Sequence, residues 1–576
     1  MKRINCMIFC LCALMALLSC SSQKVVSPNG NLSLARNGEA YVVNYQGTPV
    51  LNIKAEGFEG VKADAKKTIA FSRHIKEDYT MLSGKRLHCT NEANEYRVAL
   101  DEKTALVWRL YNDGVAFRYE LKGLDGEGIP HEVTSYKIPE GTTRWMHPWH
   151  LSYEDFFPEA TTGESKNRHW CYPALLEPQK GVFALISEAG LERNQSASSL
   201  RNDTDVETFR VVPDKNDVTP LDNWHTPWRV AIVGELADIV ESTLVNDLSA
   251  PCRLTDTDWI EPGVVSWIYW AHNHGSNDYN IIRKYVDMAV ELRLPYVLID
   301  AEWDEMKDGK TIEEAVGYAK SKGVKPMIWY NSSTGWVNGA PGPKFRLNKP
   351  EDREREFAWC QSIGVAGVKV DFFGGDAQRE IEYYHELMEC AARHHLLINF
   401  HGATTPRGWQ RTYPHMLTTE AVYGAEWYNN VPTFTKKAAR HNATLPFTRN
   451  VIGPMDYTPC AFSDSQHPHI TTHAHELALT VLYESGLQHL ADRPESFLAQ
   501  PKEVKDFLGN LPSVWDETRF LSGYPGESAV LARRSGSTWY VAGINGTDET
   551  KTIPVDLSRI VGQFGKAQLF LDGDKW

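Results

Sequence analysis

Hydrophobic and polar positions divide the chain into three stretches. From about residue 23 to 250, short runs alternate apolar and polar residues between Gly, Asn and Asp turns: LSLAR (32–36), AYVVNY (40–45), EYRVAL (95–100), GVFALISEA (181–189) and WRVAIVG (228–234). Alternation with period two buries one face of a strand and solvates the other, which predicts an antiparallel β-sandwich. Within ALVWRLYNDGVAFRYEL (105–121), Asn112-Asp113-Gly114 predicts a tight hairpin turn.

Near Pro262 the pattern changes. Continuous apolar runs now alternate with helix-like stretches. VVSWIYWAH (264–272) precedes NDYNIIRKYVDMAVELR, PYVLIDAEW (295–303) precedes TIEEAVGYAKSKG, KPMIWYN (325–331) precedes PEDREREFAWCQSIG, and VAGVKVDFF (365–373) precedes AQREIEYYHELMECAARH. LLINFHG (396–402), MLTTEAV (416–422), LPFTRNVIG (445–453) and LQHLAD (487–492) bring the count of apolar runs to eight. Repeated strand–helix units of this kind predict a parallel (β/α)8 TIM barrel. An open doubly wound sheet is disfavoured because no Gly-rich dinucleotide fingerprint follows the first strand. From about 505 the alternation returns, predicting a small antiparallel β-domain. The expected division is a leader at 1–19, a β-sandwich domain at 20–250, a catalytic barrel at 251–504 and a C-terminal β-domain at 505–576.

Charge and composition narrow the partners. The net charge of −14 argues against nucleic acid as a partner. Eighteen Trp suit a carbohydrate protein, because sugar rings stack on aromatic faces, although any one Trp serves equally as core filler. Lys2 and Arg3 followed by an apolar core from Met7 to Leu18 read as an export signal. It ends in Leu17-Leu18-Ser19-Cys20, which resembles a lipobox with Cys20 as the lipidated residue. Ser21 and Ser22 carry no acidic export patch, so the expected location is the periplasm, with the protein tied to a bacterial membrane only through that lipid. No later run is apolar and long enough to span a bilayer. The six remaining cysteines have neither CxxC nor zinc spacing, and THAHE (472–476) is not HExxH.

Polar or ionisable groups recur at the ends of the apolar runs: His272, Asp300, Glu302, Asn331, Asp371, His401 and Glu420. In a barrel these positions face the substrate. Asp371 is a candidate nucleophile, and Lys369, two residues earlier, points to the same side of the strand and favours the ionised carboxylate. Glu420 and Glu426 are candidates for a second carboxylate, one as a general acid and the other as a support or metal ligand, since clustered carboxylates imply a cation or a shared proton. His401 either binds a sugar hydroxyl or orients a carboxylate.

The blocks YNDGVAFRY (111–119), KVDFF (369–373) and NFHGATTPRGWQRTYPHMLTTEAVYGAEW (399–427) resemble glycoside hydrolase family 97, a family of α-glycosidases, over nearly the whole mature chain. The resemblance implies an N-terminal β-super-sandwich, a central (β/α)8 barrel and a C-terminal β-domain. Inverting members, which are α-glucosidases, carry a glutamate base directly after the histidine of the fifth strand and no carboxylate at the end of the fourth. Here those positions are Gly402 and Asp371, so the resemblance implies the retaining branch, with Asp371 as nucleophile and Glu426 as acid/base. It also implies a Ca2+ ion held by Glu188, Glu420 and Glu426. The expected activity is hydrolysis of terminal α-galactosides in oligosaccharides by double displacement. Lys369, His401, Asp300, Trp303 and Trp329 are the expected sugar-binding residues. β-L-arabinopyranoside is an alternative substrate, because that sugar differs from α-galactose only in lacking the hydroxymethyl group. Inverting α-glucosidase activity is a further alternative, opposed by Gly402 and Asp371.

Overall fold

The computed structural model describes residues 24–573 apart from 62–67, 125–127, 163–167, 216–220, 269–270, 465–467, 469, 561 and 563–564. The leader and Cys20 lie outside the described residues. Between Val25 and Gly234, seventeen strands join in one antiparallel network. Alternating positions are buried, as in His88–Ala99, and the inward side chains form an aromatic core. Trp108 stands at its centre, its ring 5.0 Å from Tyr41 and 4.7 Å from Phe117. Strands Thr104–Tyr111 and Gly114–Lys122 pair antiparallel across the Asn112-Asp113 turn, with Leu110 opposite Val115. A Cβ at Gly114 would lie 2.6 Å from the Ala231 carbonyl, so the neighbouring strand fixes glycine there.

Seven parallel strands form the central sheet: β1 (Gly263–Trp267), β2 (Tyr296–Ile299), β3 (Lys325–Asn331), β4 (Gly367–Asp371), β5 (Leu397–Phe400), β6 (Met416–Thr419) and β7 (Leu487–Leu490). The order runs from β6 through β1 to β7, an almost closed barrel. Every residue of β2, β4, β5 and β6 is buried, as expected of parallel strands covered on both faces. Each fully buried Val or Ile there contributes roughly 1.5–3 kcal/mol of transfer free energy. Helices α1 (Tyr279–Leu292), α2 (Ile312–Ser321), α3 (Pro350–Ile363) and α4 (Gln378–Arg393) connect β1 to β5. Their ends are written in the sequence. Asp278 accepts from the amides of Asn280 and Ile281 to start α1, Thr311 and Glu314 form a capping box on α2, and Gly364 ends α3 in the left-handed conformation.

The strand expected at 445–453 is absent. The chain instead makes two 3-10 turns, Leu445–Phe447 and Arg449–Ile452. The Arg449 guanidinium donates to the carbonyls of Thr419, Glu420, Ala421, Gly453 and Pro454, and so occupies acceptors that a neighbouring strand would need. Residues 455–459 then cross the gap. The Asp456 amide bonds the Thr419 carbonyl at 3.1 Å, and the Ala491 amide bonds the Pro459 carbonyl at 3.1 Å. The barrel is thereby bridged by an irregular segment where an eighth strand was expected.

The C-terminal unit is a three-stranded antiparallel sheet, Glu517–Tyr524, Ser528–Ser535 and Thr538–Asn545. Arg533 donates from it to the carbonyls of Val481 and Leu482 at the end of the barrel helix His473–Leu482. Buried Lys85 of the sandwich joins all three units: its ammonium donates to Val240 and Val451, and its carbonyl accepts from Thr518. No helix among the described residues is long and apolar enough to cross a membrane. Cys89, Cys171, Cys360, Cys390 and Cys460 are buried free thiols, and Cys252 is an exposed one.

Candidate active site

Parallel register stacks Trp329, Lys369 and Asn399 in one layer across β3, β4 and β5, with Asn331 beside Asp371 one layer nearer the strand ends. Lys369 is 2% exposed. Its ammonium lies 3.0 Å from Asp300 Oδ2, 3.8 Å from Asp371 Oδ2 and 4.9 Å from the centre of the Trp267 ring. Burial alone would lower its pKa, but Asp300, Asp371, Glu426 and Glu420 outweigh it and hold the ammonium above the usual lysine value. Asp300 is fixed in turn by the Trp267 indole N–H at 2.8 Å.

Asp371 closes β4. Its Oδ2 accepts from the Trp329 indole at 3.0 Å and its Oδ1 from the Phe372 amide at 2.8 Å. Phe372 takes a φ of 65°, so the chain turns sharply after Asp371 and leaves the carboxylate at the strand mouth. Burial raises the Asp371 pKa, Lys369 and His401 act against that, and Glu420 adds to it.

Gly402 sits against this carboxylate. A Cβ there would lie 2.9 Å from Asp371 Oδ1 and 2.8 Å from the Phe372 amide, and φ is +47°. The Phe372 backbone and the left-handed φ favour glycine at 402, and the absence of a side chain there leaves space beside Asp371 Oδ1. The Gly402 amide also donates to Glu420 Oε2 at 2.8 Å.

The opposite wall is acidic. His401 Nδ1 lies 3.4 Å from Glu420 Oε1, and its Nε2 lies 2.7 Å from Asp456 Oδ2. His401, Glu420 and Glu426 bring ligand atoms within 4.8 Å of one another. Burial and then Glu420 push the Glu426 carboxyl up to about 8, Lys369 and His401 pull it down, and Asp371 adds to the rise. Burial would lower the His401 pKa, but Glu420 and Asp456 outweigh it and hold the imidazole charged.

Two residues of this wall were not anticipated. Asp456 accepts from Asn399 at 2.7 Å as well as from His401, and His489 Nδ1 stands 2.9 Å away. Burial opposes its charge, yet His489 and His401 keep it ionised well below the ordinary range. A lone acid inside the buried run Gly453–Cys460 was the available signal. Glu154 reaches in from the sandwich and accepts from Trp427 Nε1 at 2.8 Å and from Ser152. Burial, Glu420 and Glu426 raise its pKa well above the carboxylate range. Its sequence context, SYEDFF, sets it apart from other loop acids only by its aromatic neighbours.

Two of the expected residues lie outside this cluster. Glu188 is not in the cluster: its oxygens accept from Arg229 Nη1 at 2.5 Å, Arg407 Nε at 2.6 Å and Ser198 Oγ at 2.7 Å. Matched by two buried guanidiniums, it fastens the sandwich to the barrel loop that carries Arg407. Trp303 turns outward instead of into the barrel mouth. It stacks on Trp359 of α3 at 5.8 Å and donates to the Trp329 carbonyl at 2.6 Å, which places it in the strand–helix layer. Asp300, Lys369, Asp371, His401, Glu420, Glu426 and Trp329 do assemble at one end of the barrel.

Carboxylates converging at the C-terminal mouth of a parallel barrel place an enzyme active site there, in an arrangement that glycoside hydrolysis can use. Residues 25–251 match the glycosyl-hydrolase 97 N-terminal domain, 259–422 match glycoside hydrolase 97, and 514–576 match the glycosyl-hydrolase 97 C-terminal, oligomerisation domain. The chain belongs to glycoside hydrolase family 97 and is a glycosidase. It is 36% identical over 528 residues to a probable retaining alpha-galactosidase of Streptomyces bingchenggensis, covering 88% of this chain and 79% of that one. It is 27% identical to a retaining alpha-galactosidase of Bacteroides thetaiotaomicron, covering 100% of this chain and 94% of the relative. A crystal structure of a beta-arabinopyranosidase superposes with a TM-score of 0.83 at 31% identity, covering 91% of each chain.

Proposed function

We propose that this protein is an exo-acting retaining α-galactosidase in which Asp371 is the nucleophile and Glu426 the acid/base. The observation that supports this reading best is Asp371 at the mouth of β4 beside a glycine at 402. A carboxylate occupies the strand-four mouth, and the position after His401 carries no side chain to serve as the base of an inverting enzyme. In the first step an Asp371 oxygen attacks the anomeric carbon while Glu426 gives its proton to the departing glycosidic oxygen. In the second, Glu426 takes a proton from water, the water oxygen attacks the same carbon, and Asp371 leaves. Two inversions give net retention. Lys369 and Asp300 form the charged floor under the sugar, and the Trp329 indole holds the Asp371 oxygen it bonds.

The donor set suits Ca2+. Glu420 and Glu426 supply clustered oxygens beside His401, the Glu426 carboxyl is raised by burial and by Glu420, and Glu154 lies close enough from the sandwich to be raised by both. Bound there, the ion would offset the carboxylate repulsion and orient sugar hydroxyls.

Likeness to the beta-arabinopyranosidase supports β-L-arabinopyranoside as a second substrate reading with the same catalytic pair. Paired nitrophenyl α-galactoside and β-L-arabinopyranoside assays separate the two. The nucleophile is tested with Asp371→Gly, which is expected to lose turnover by about four orders of magnitude and to regain it with azide as the β-glycosyl azide. Undiminished turnover in that variant would overturn the assignment, as would a β-anomer as the first product of the native enzyme.

A further inference from the structure

Of the eleven large apolar side chains exposed to solvent among the described residues, four, Trp149, Leu151, Trp336 and Phe345, lie on two segments. Both segments border the mouth just described. The stretch 149–154 ends in Glu154, and the loop after β3 runs alongside the turn that follows Asp371. Exposed apolar surface concentrated in this way marks a binding surface.

Trp336 is the best-defined of the four. It is 52% exposed, yet it is held in place. Its indole N–H donates to the Asn338 carbonyl at 2.8 Å, and its carbonyl accepts from Asn331 Nδ2 at 3.2 Å. Its ring meets Phe372 edge-on at 4.9 Å. Phe372 directly follows the nucleophile and also packs at 5.8 Å against Trp329, whose indole bonds Asp371. The loop is pinned to the same turn by the Gly335 amide, which bonds the Phe372 carbonyl at 2.9 Å. Across the turn, Leu151 of the sandwich reaches to within 3.2 Å of where a Gly375 Cβ would stand, and it is 40% exposed. An aromatic ring and an aliphatic side chain therefore flank the backbone just outside the nucleophile. The nearby Lys344 ammonium is spent on the carbonyls of Val337 and Ala340.

We infer that Trp336, with Leu151 across the turn, forms an aglycone subsite that takes a neutral pyranose as the leaving group. The aromatic ring and the aliphatic side chain suit the C–H face of a sugar ring, and the Asp214 carboxylate, whose Oδ2 lies 3.5 Å from the same Gly375 Cβ position, disfavours an anionic aglycone. A rigid side chain loses little entropy on binding, which makes the stacking effective. The inference rests on the retaining galactosidase reading above.

The test compares α-galactosyl fluoride, which has no sugar aglycone, with an α-galactosyl disaccharide. In Trp336→Ala the ratio of kcat/KM for the disaccharide to that for the fluoride is expected to fall roughly three- to tenfold, mainly through KM. Trp336→Phe should restore most of the ratio, which a purely structural role would not require. An unchanged ratio in both variants, with the native enzyme hydrolysing both substrates, overturns the subsite and leaves the galactosidase reading intact. A native enzyme that hydrolyses neither substrate overturns both. Should Trp336→Ala fail to fold, Leu151→Ala across the turn is expected to lower the same ratio, and its failure to do so counts equally against the subsite.

Discussion

The two walls of the active site hold charge in opposite ways. On the β4 side, Lys369 stands between Asp300 and Asp371, and indole N–H groups fill further acceptor positions. On the β6 side, Glu420, Glu426 and Glu154 crowd together with one imidazole among them, and that imidazole is shared with Asp456. The first wall is compensated and rigid. The second is buried and crowded with carboxylates, and burial first, then Glu420, drives the Glu426 carboxyl up to about 8. Difference in surroundings, more than difference in residue type, separates a carboxylate suited to attack from one suited to carry a proton.

Removing the ammonium should abolish the contrast. Lys369→Met leaves Asp300 and Asp371 buried without a counter-charge, which costs about 3–5 kcal/mol of stability. We expect turnover to fall by two to three orders of magnitude and thermal unfolding to shift down together, read by steady-state kinetics and calorimetry. Gly402→Ala probes the junction of the walls. Its methyl group enters the space of Asp371 Oδ1 in a left-handed backbone, so activity should fall by about one to two orders of magnitude with a destabilisation of about 1–3 kcal/mol. Normal activity in that variant would break the link between Gly402 and the nucleophile.

Chelation addresses the carboxylate-rich wall alone. A calcium chelator should lower both activity and melting temperature, Ca2+ should restore both, and Glu420→Gln should shift the Ca2+ concentration needed upward by about tenfold. A melting temperature indifferent to chelator and to added Ca2+ would leave the wall without its ion. The smallest effect expected is acid sensitivity away from both walls. Burial lowers the pKa of His385 to about 3, of His415 to about 4 and of His441 to about 3, from an ordinary value of 6.5. Unfolded, these rings bind protons that the folded protein refuses, so their contribution is complete above about pH 6.5 and is lost as pH falls towards about 4. The melting temperature should therefore decline through that window, and replacing His415 by Asn should flatten the decline.

Local order was legible wherever it rests on periodicity. The four strand–helix units from β1 to α4 fall where apolar runs alternate with helix-like stretches, and caps are spelled out by Asp278, Thr311 and Gly364. The Lys369–Asp371 spacing placed both groups on one face of β4. The reading failed where long-range contacts decide. LPFTRNVIG is apolar enough for a strand, but Arg449 turns inward to cap five carbonyls and the chain coils. Trp303 sits at a strand end, but only the path of β3 and α3 decides whether its ring faces the mouth or the helix layer.

By itself, then, the sequence determined most of the regular elements and the strand that carries Lys369 and Asp371, since these depend on side-chain periodicity and on residues near in the chain. The tertiary structure decided which acids share the site. Glu154 joins Glu420 and Glu426 from 266 positions or more away, whereas Glu188 is drawn off by Arg229 and Arg407. A carboxylate's role depends on the charges packed around it, and those are set by the docking of the sandwich on the barrel, which no local pattern encodes.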